Sequence, residues 1–103
     1  MIVYRLENEQ GFGPFWCGQC ASNFLKPHKD PEEMMKLSGL NRKCFNRLSS
    51  AGWIFGWESL ELYRQFFKQG GEDACNNIGF TLHTYQPTAF VRFIDGQVMF
   101  KRP

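Results

Sequence analysis

Gly13-Pro14-Phe15-Trp16-Cys17-Gly18-Gln19-Cys20-Ala21-Ser22-Asn23-Phe24 can be read in two ways, and the two readings lead to different folds. If Trp16 to Cys20 heads a long buried helix, the helix N-terminus activates the first thiolate and the domain is built around a redox site. If the stretch is a connector broken by turns, the two thiols are local features and the fold must come from the flanking strands and helices.

The flanks favour the connector. Gly11, Gly13 and Pro14 separate Leu6 from Cys17, so no apolar strand runs directly into the cysteines. After Cys20, Pro27 stops any helix within about two turns. No helical or strand period holds from Asn8 to Asp30, which makes this a long N-terminal loop, and loops of that length are usually functional or compactly packed.

Working outward, Ile2 to Glu7 alternates as a strand does, with Val3 and Arg5 on one face and Tyr4 and Leu6 on the other. An arginine on such a strand is unusual. Asp30-Pro31-Glu32-Glu33 starts a short helix that ends near Ser38-Gly39, and Asn41 opens another through Cys44 and Leu48. Residues 53–57, Trp-Ile-Phe-Gly-Trp, form a short buried strand. The clearest helix runs from a Ser59 cap to Lys68, carries Leu60, Tyr63 and Phe67 on one face, and stops at Gly70-Gly71. Another turn follows before Gly79, then a strand over Phe80 to Gln86. Two strands, Ala89 to Ile94 and Gln97 to Lys101, flank a tight Asp95-Gly96 turn. The architecture is α+β: a small antiparallel sheet of about four strands against one main helix, in a single domain spanning residues 1–103. Tyr4, Trp53, Trp57, Phe90 and Phe93 are expected in its core.

Composition agrees with a folded domain. Of 103 residues 43% are hydrophobic and 17% aromatic, 11 of them Phe and 3 Trp, enough to offset ordering entropy by burial. The net charge is +2, from 12 Lys and Arg against 10 Asp and Glu interspersed along the chain, so no direct nucleic-acid partner is expected. The short basic runs at Arg42-Lys43 and Lys101-Arg102 read as solvated surface. No apolar run is long enough to span a bilayer and no signal peptide is visible, which points to a cytosolic protein without a membrane partner.

The four cysteines, Cys17, Cys20, Cys44 and Cys75, would then be reduced. Trp16-Cys17-Gly18-Gln19-Cys20 resembles the active site of thioredoxin-like thiol-disulfide proteins, and Pro87-Thr88 before a strand resembles the segment that closes over the thiols there. Pro87 is too far along the chain from Cys20, however, and the helix after the thiols is missing. A zinc knuckle would take Cys17 and Cys20 with His28 and Cys44, and Cys75 or His83 could contribute, but a second closely spaced ligand pair is absent. The reading adopted is that the thiols pack with Phe12, Phe15 and Trp16, with no metal and no cofactor. His83 reads as a hydrogen-bonded strand histidine.

End to end, the chain resembles a widespread family of small bacteriophage and prophage proteins. The marks are Val-Tyr-Arg-Leu-Glu-Asn at 3–8, Gly-Phe-Gly-Pro-Phe at 11–15, His-Lys-Asp-Pro at 28–31, the run 55–67 from Phe-Gly-Trp to Gln-Phe-Phe, residues 78–86, and Gln-Val-Met-Phe at 97–100. The resemblance implies an accessory protein of the host cytoplasm that binds and inhibits a bacterial host protein, in the manner of an anti-defence or anti-CRISPR inhibitor. Its binding residues would be Phe12, Phe15, Trp16 and Arg5, because large rigid side chains give contact area at low entropy cost. The arrangement also faintly resembles a minimal ADP-ribosyltransferase. In that alternative Arg5 would hold the phosphates of NAD, Ser59 would support the strand and Asp95 would replace the usual catalytic glutamate.

Overall fold

The computed structural model describes residues 1–15, 20–27, 31–39 and 41–103. Five strands form one antiparallel sheet: β1 (Val3–Glu7), β2 (Ile54–Trp57), β3 (Thr81–Tyr85), β4 (Phe90–Arg92) and β5 (Gln97–Phe100), in the spatial order β3-β1-β2-β5-β4. The helices described are α1 (Pro31–Leu37), α2 (Arg42–Ser50), α3 (Leu60–Gln65) and α4 (Gly71–Asn77), with a 3-10 turn over Cys20–Phe24. The α+β class and the antiparallel sheet are as the sequence reading expects. The helical layer is larger than one main helix, and α3 is shorter than Ser59 to Lys68.

Local chemistry sets the helix starts. Asn41 accepts a 2.8 Å hydrogen bond from the Cys44 amide and Ser59 one of 3.1 Å from the Leu62 amide, so each side chain satisfies an N–H that the helix cannot. The turn between β4 and β5 is wider than expected. Phe93 and Gln97 face each other through a 2.8 Å backbone bond, leaving three residues between them, with Gly96 at φ +90°. That is the three-residue hairpin with a left-handed final position, which glycine fills without strain.

The pleat divides the side chains as expected. Tyr4 pairs with Trp57, Phe55 with Met99 and Val91 with Met99, so these residues share one face, and all the described helices cover it. At one end Leu6 packs with Tyr63, Phe66 and Phe67 around the α3 region and with Cys75 and Phe80 from α4 and the chain after it. At the other, Met99 and Phe93 pack with Met34 of α1 and with Phe45 and Leu48 of α2. The opposite face holds a smaller cluster, Val3, Val98 and Phe100 with Ile54 and Tyr85, to which no described helix contributes. Phe90 sits on this second face of edge strand β4 and is exposed, against the expectation that it is core.

The long loop is compact where it is described. Asn8 Oδ1 accepts from the amides of Gln10 and Phe12 at 3.0 and 2.9 Å, and the Asn8 amide returns a bond to the Phe12 carbonyl. Its far end is tied to the C-terminal end of α3 by Lys26 N–H to Phe66 O at 2.7 Å and Lys68 N–H to Phe24 O at 2.9 Å.

Candidate functional site

Arg5, the odd residue of the first strand, leads to the site. It shares a face of β1 with Glu7, and its Nε donates to Glu7 Oε2 at 2.9 Å while Nη1 donates to the Phe55 carbonyl at 2.7 Å. Glu7 is 2% exposed, yet it is ionic. A second guanidinium, Arg102, reaches it with Nη2 at 3.0 Å from Oε2 and Nη1 at 3.4 Å from Oε1. The Tyr85 hydroxyl donates to Oε1, and His83 Nδ1 stands 3.2 Å from the same oxygen. Strand pairing explains the assembly: Arg5 lies opposite His83 and Glu7 opposite Thr81, so residues 81, 83 and 85 of β3 share the face of residues 3, 5 and 7 of β1.

The carboxylate is the organising charge. Burial pushes the Glu7 carboxyl up, but hydrogen bonds from Tyr85, Arg5 and Arg102 outweigh it and hold the group below its usual range. Burial pushes the Tyr85 phenol up, and the bond it donates to Glu7 adds to the rise. Burial draws Arg5 down from its ordinary value despite the carboxylate beside it. The His83 ring bridges two groups of this face, with Nδ1 on the Glu7 carboxylate and Nε2 3.2 Å from Thr81 Oγ1.

Arg102 also holds the loop, and Arg5 lies close against it. Arg102 Nη2 donates to the Gly11 carbonyl at 2.6 Å, and a Cβ on Gly11, whose φ is +83°, would stand 3.0 Å from that nitrogen. A Cβ on Gly13 would stand 3.2 Å from Arg5 Nη2. The two glycines of Gly-Phe-Gly-Pro-Phe thus each leave room for a guanidinium, and both guanidinium groups are anchored on Glu7. Phe15, two residues on, is 60% exposed, and Phe12 is at the surface beside it in sequence.

Between this loop and the sheet lies a cavity of about 320 Å³. Arg5 and Leu6 of β1, Phe55 to Trp57 of β2, Gln97 of β5, Phe66 after α3 and Gly13 to Phe15 of the loop line it. Its walls are largely aromatic, and Arg5 is its cation.

The model of the bacteriophage T4 Y00F protein family matches residues 1–103. The chain belongs to that family. No curated protein and no solved structure matches it. As a member of the bacteriophage T4 Y00F family it is a phage protein, the coarse origin that the sequence resemblance implies. Among the described residues no helix is long and apolar enough to cross a membrane.

Of the residues singled out from sequence, Phe12, Phe15 and Arg5 belong to one structural unit, the loop and the charges that hold it. Trp16, Cys17 and His28 lie outside the described residues, as does the side chain of Cys20, so the thiol pair and three of the four residues of the zinc set do too. Cys44 is exposed on α2, and Cys75 is on the buried side of α4 with its thiol 3.8 Å from the Ala21 carbonyl. The residues of the transferase alternative are each engaged separately: Arg5 with Glu7, Ser59 as the cap of α3, and Asp95 with the Gln97 amide at 3.0 Å and its side-chain Nε2 at 2.6 Å.

Sequence reasoning missed Glu7, Tyr85 and Arg102. Arg102 is not simply solvated surface, because it bonds Glu7 and Gly11 near the start of the chain and the Tyr85 hydroxyl. The available signal was an acid at the end of β1 and an aromatic-polar alternation on the strand that pairs with it.

Proposed function

We propose that this phage protein acts by binding a protein of the bacterial host and inhibiting it, with Phe12 and Phe15 as the contact residues. The observation that carries the reading is Phe15, a large apolar side chain 60% exposed on a loop to which Arg102 is hydrogen-bonded at Gly11. Exposure of an aromatic side chain in a fixed place favours binding, because little freedom is lost when a partner covers it. The phage family supports a target in the host, and inhibition of a defence protein is the finer form of this reading.

The test compares capture by tagged wild-type protein with capture by Phe12→Ala/Phe15→Ala, both in lysate of the host bacterium. A partner retained by the wild type and lost by at least about tenfold with the double variant is expected, and its activity should fall when purified wild-type protein is added. Ile94→Ala is the control, since Ile94 is 70% exposed on the β4-β5 turn. Retention of the same partner by the double variant would remove the assigned surface.

A further inference from the structure

The cavity beside the loop has a chemistry that protein contact through Phe12 and Phe15 does not use. Arg5 is 11% exposed and its guanidinium spends Nε on Glu7 and Nη1 on the Phe55 carbonyl, while Nη2 has no hydrogen-bond partner among the described residues. Gly13 places no side chain in front of Nη2. Two guanidinium groups face one carboxylate, so Arg5, Arg102 and Glu7 together keep one positive charge. Apart from Gln97, the other side chains lining it, among them Leu6, Phe55, Trp57 and Phe66, are apolar, and a volume of about 320 Å³ is at the small end for ligand sites.

We propose that this cavity binds a small aromatic carboxylate, with the ring among Phe55, Trp57 and Phe66 and the carboxylate on the Nη2 edge of Arg5. A guanidinium recognises a carboxylate through paired N–H donors, and its strength grows where water is excluded. The single surplus charge matches one anion. An anion there also supplies Arg5 with solvation that burial removes, since desolvation is the main influence on this group.

Phenylacetate is the probe, titrated into the isotope-labelled full chain and followed by NMR at the Arg5 Nε–H and the Gly13 and Gly56 amides. No host protein is needed, so this test is independent of the partner proposed above. Saturable shifts at these three positions are expected, with Kd about 1 mM for a fragment of this size. Phenylacetamide, which lacks the charge, and acetate, which lacks the ring, should each bind at least about tenfold more weakly. Arg5→Lys should lose the preference for the acid. Because that change also disturbs Glu7, Gly13→Ala provides a second arm: it keeps the ion network, sets a methyl against Nη2 and should weaken phenylacetate about tenfold. Equal binding of phenylacetate and phenylacetamide, shifts centred elsewhere, or an unchanged affinity in Gly13→Ala would overturn the proposal.

Discussion

On one face of the sheet Tyr63, Phe67 and Phe80 lie beneath helices; on the other, Glu7 is buried to a similar degree, yet its neighbours are two guanidinium groups, a phenol and an imidazole. The first arrangement is held by removal of apolar surface from water, which is non-directional and indifferent to salt and pH. The second is held by matched donors around one charge, which fixes geometry and depends on both. The loop with Phe12 and Phe15 is fastened to the second. The position of this loop is therefore set by directional bonds, while the bulk of stability comes from the helix-covered face.

The comparison can be broken most forcefully at Phe80, which is fully buried. Phe80→Ala should lower the unfolding free energy by about 3–5 kcal/mol, by loss of transfer free energy and creation of a cavity. The loss, read from urea denaturation, should be the same at low and high salt. A strong salt dependence would mean that the two faces are not separable.

Glu7→Gln comes next, at about 3 kcal/mol, because it leaves two cations facing each other without their counter-charge. Its pH dependence has a definite sign. The folded carboxyl sits below its ordinary value near 4.5, so the unfolded chain binds more protons in the acid range. Stability from Glu7 is complete above that value and is lost as pH falls through the folded one. Denaturation midpoints measured across the acid range should fall less steeply in Glu7→Gln than in the wild type.

The smallest effect is expected at Arg102, which is partly exposed. Arg102→Ala should cost about 1 kcal/mol at low salt and less at high salt. Hydrogen exchange should accelerate at Gly11 and Phe12 while the Phe80 amide, bonded to the Cys75 carbonyl, stays protected.

These two kinds of region were unequally legible in the sequence. Period and cap chemistry placed a strand near each of the five observed, although they pointed to a sheet of about four; they also gave the Ser59 and Asn41 helix starts and the split of Val3 and Arg5 from Tyr4 and Leu6, because those signals act between near neighbours. Phe90 was misjudged because edge position is a property of the whole sheet: alternation says which residues share a face and not whether that face is covered. The charge network was the least legible. Arg5 stood out as an oddity, but Glu7, Tyr85 and Arg102 come together only when β1 pairs with β3 and the chain after β5 returns to them. No local spacing encodes that meeting. Likewise the glycines at 11 and 13 read as turn formers, whereas each gives space to an arginine from elsewhere.

The Glu7 and Arg102 pair joins residues separated by 95 positions. Closing so long a segment is entropically unfavourable until neighbouring strands already hold the ends near each other, so the bond belongs to the last steps of folding. Its contribution then falls on the descent from the transition state: weakening it hastens unfolding and leaves the refolding rate almost unchanged. The grip on the loop at Gly11 is accordingly a matter of how long the native state persists, more than of how quickly it is reached.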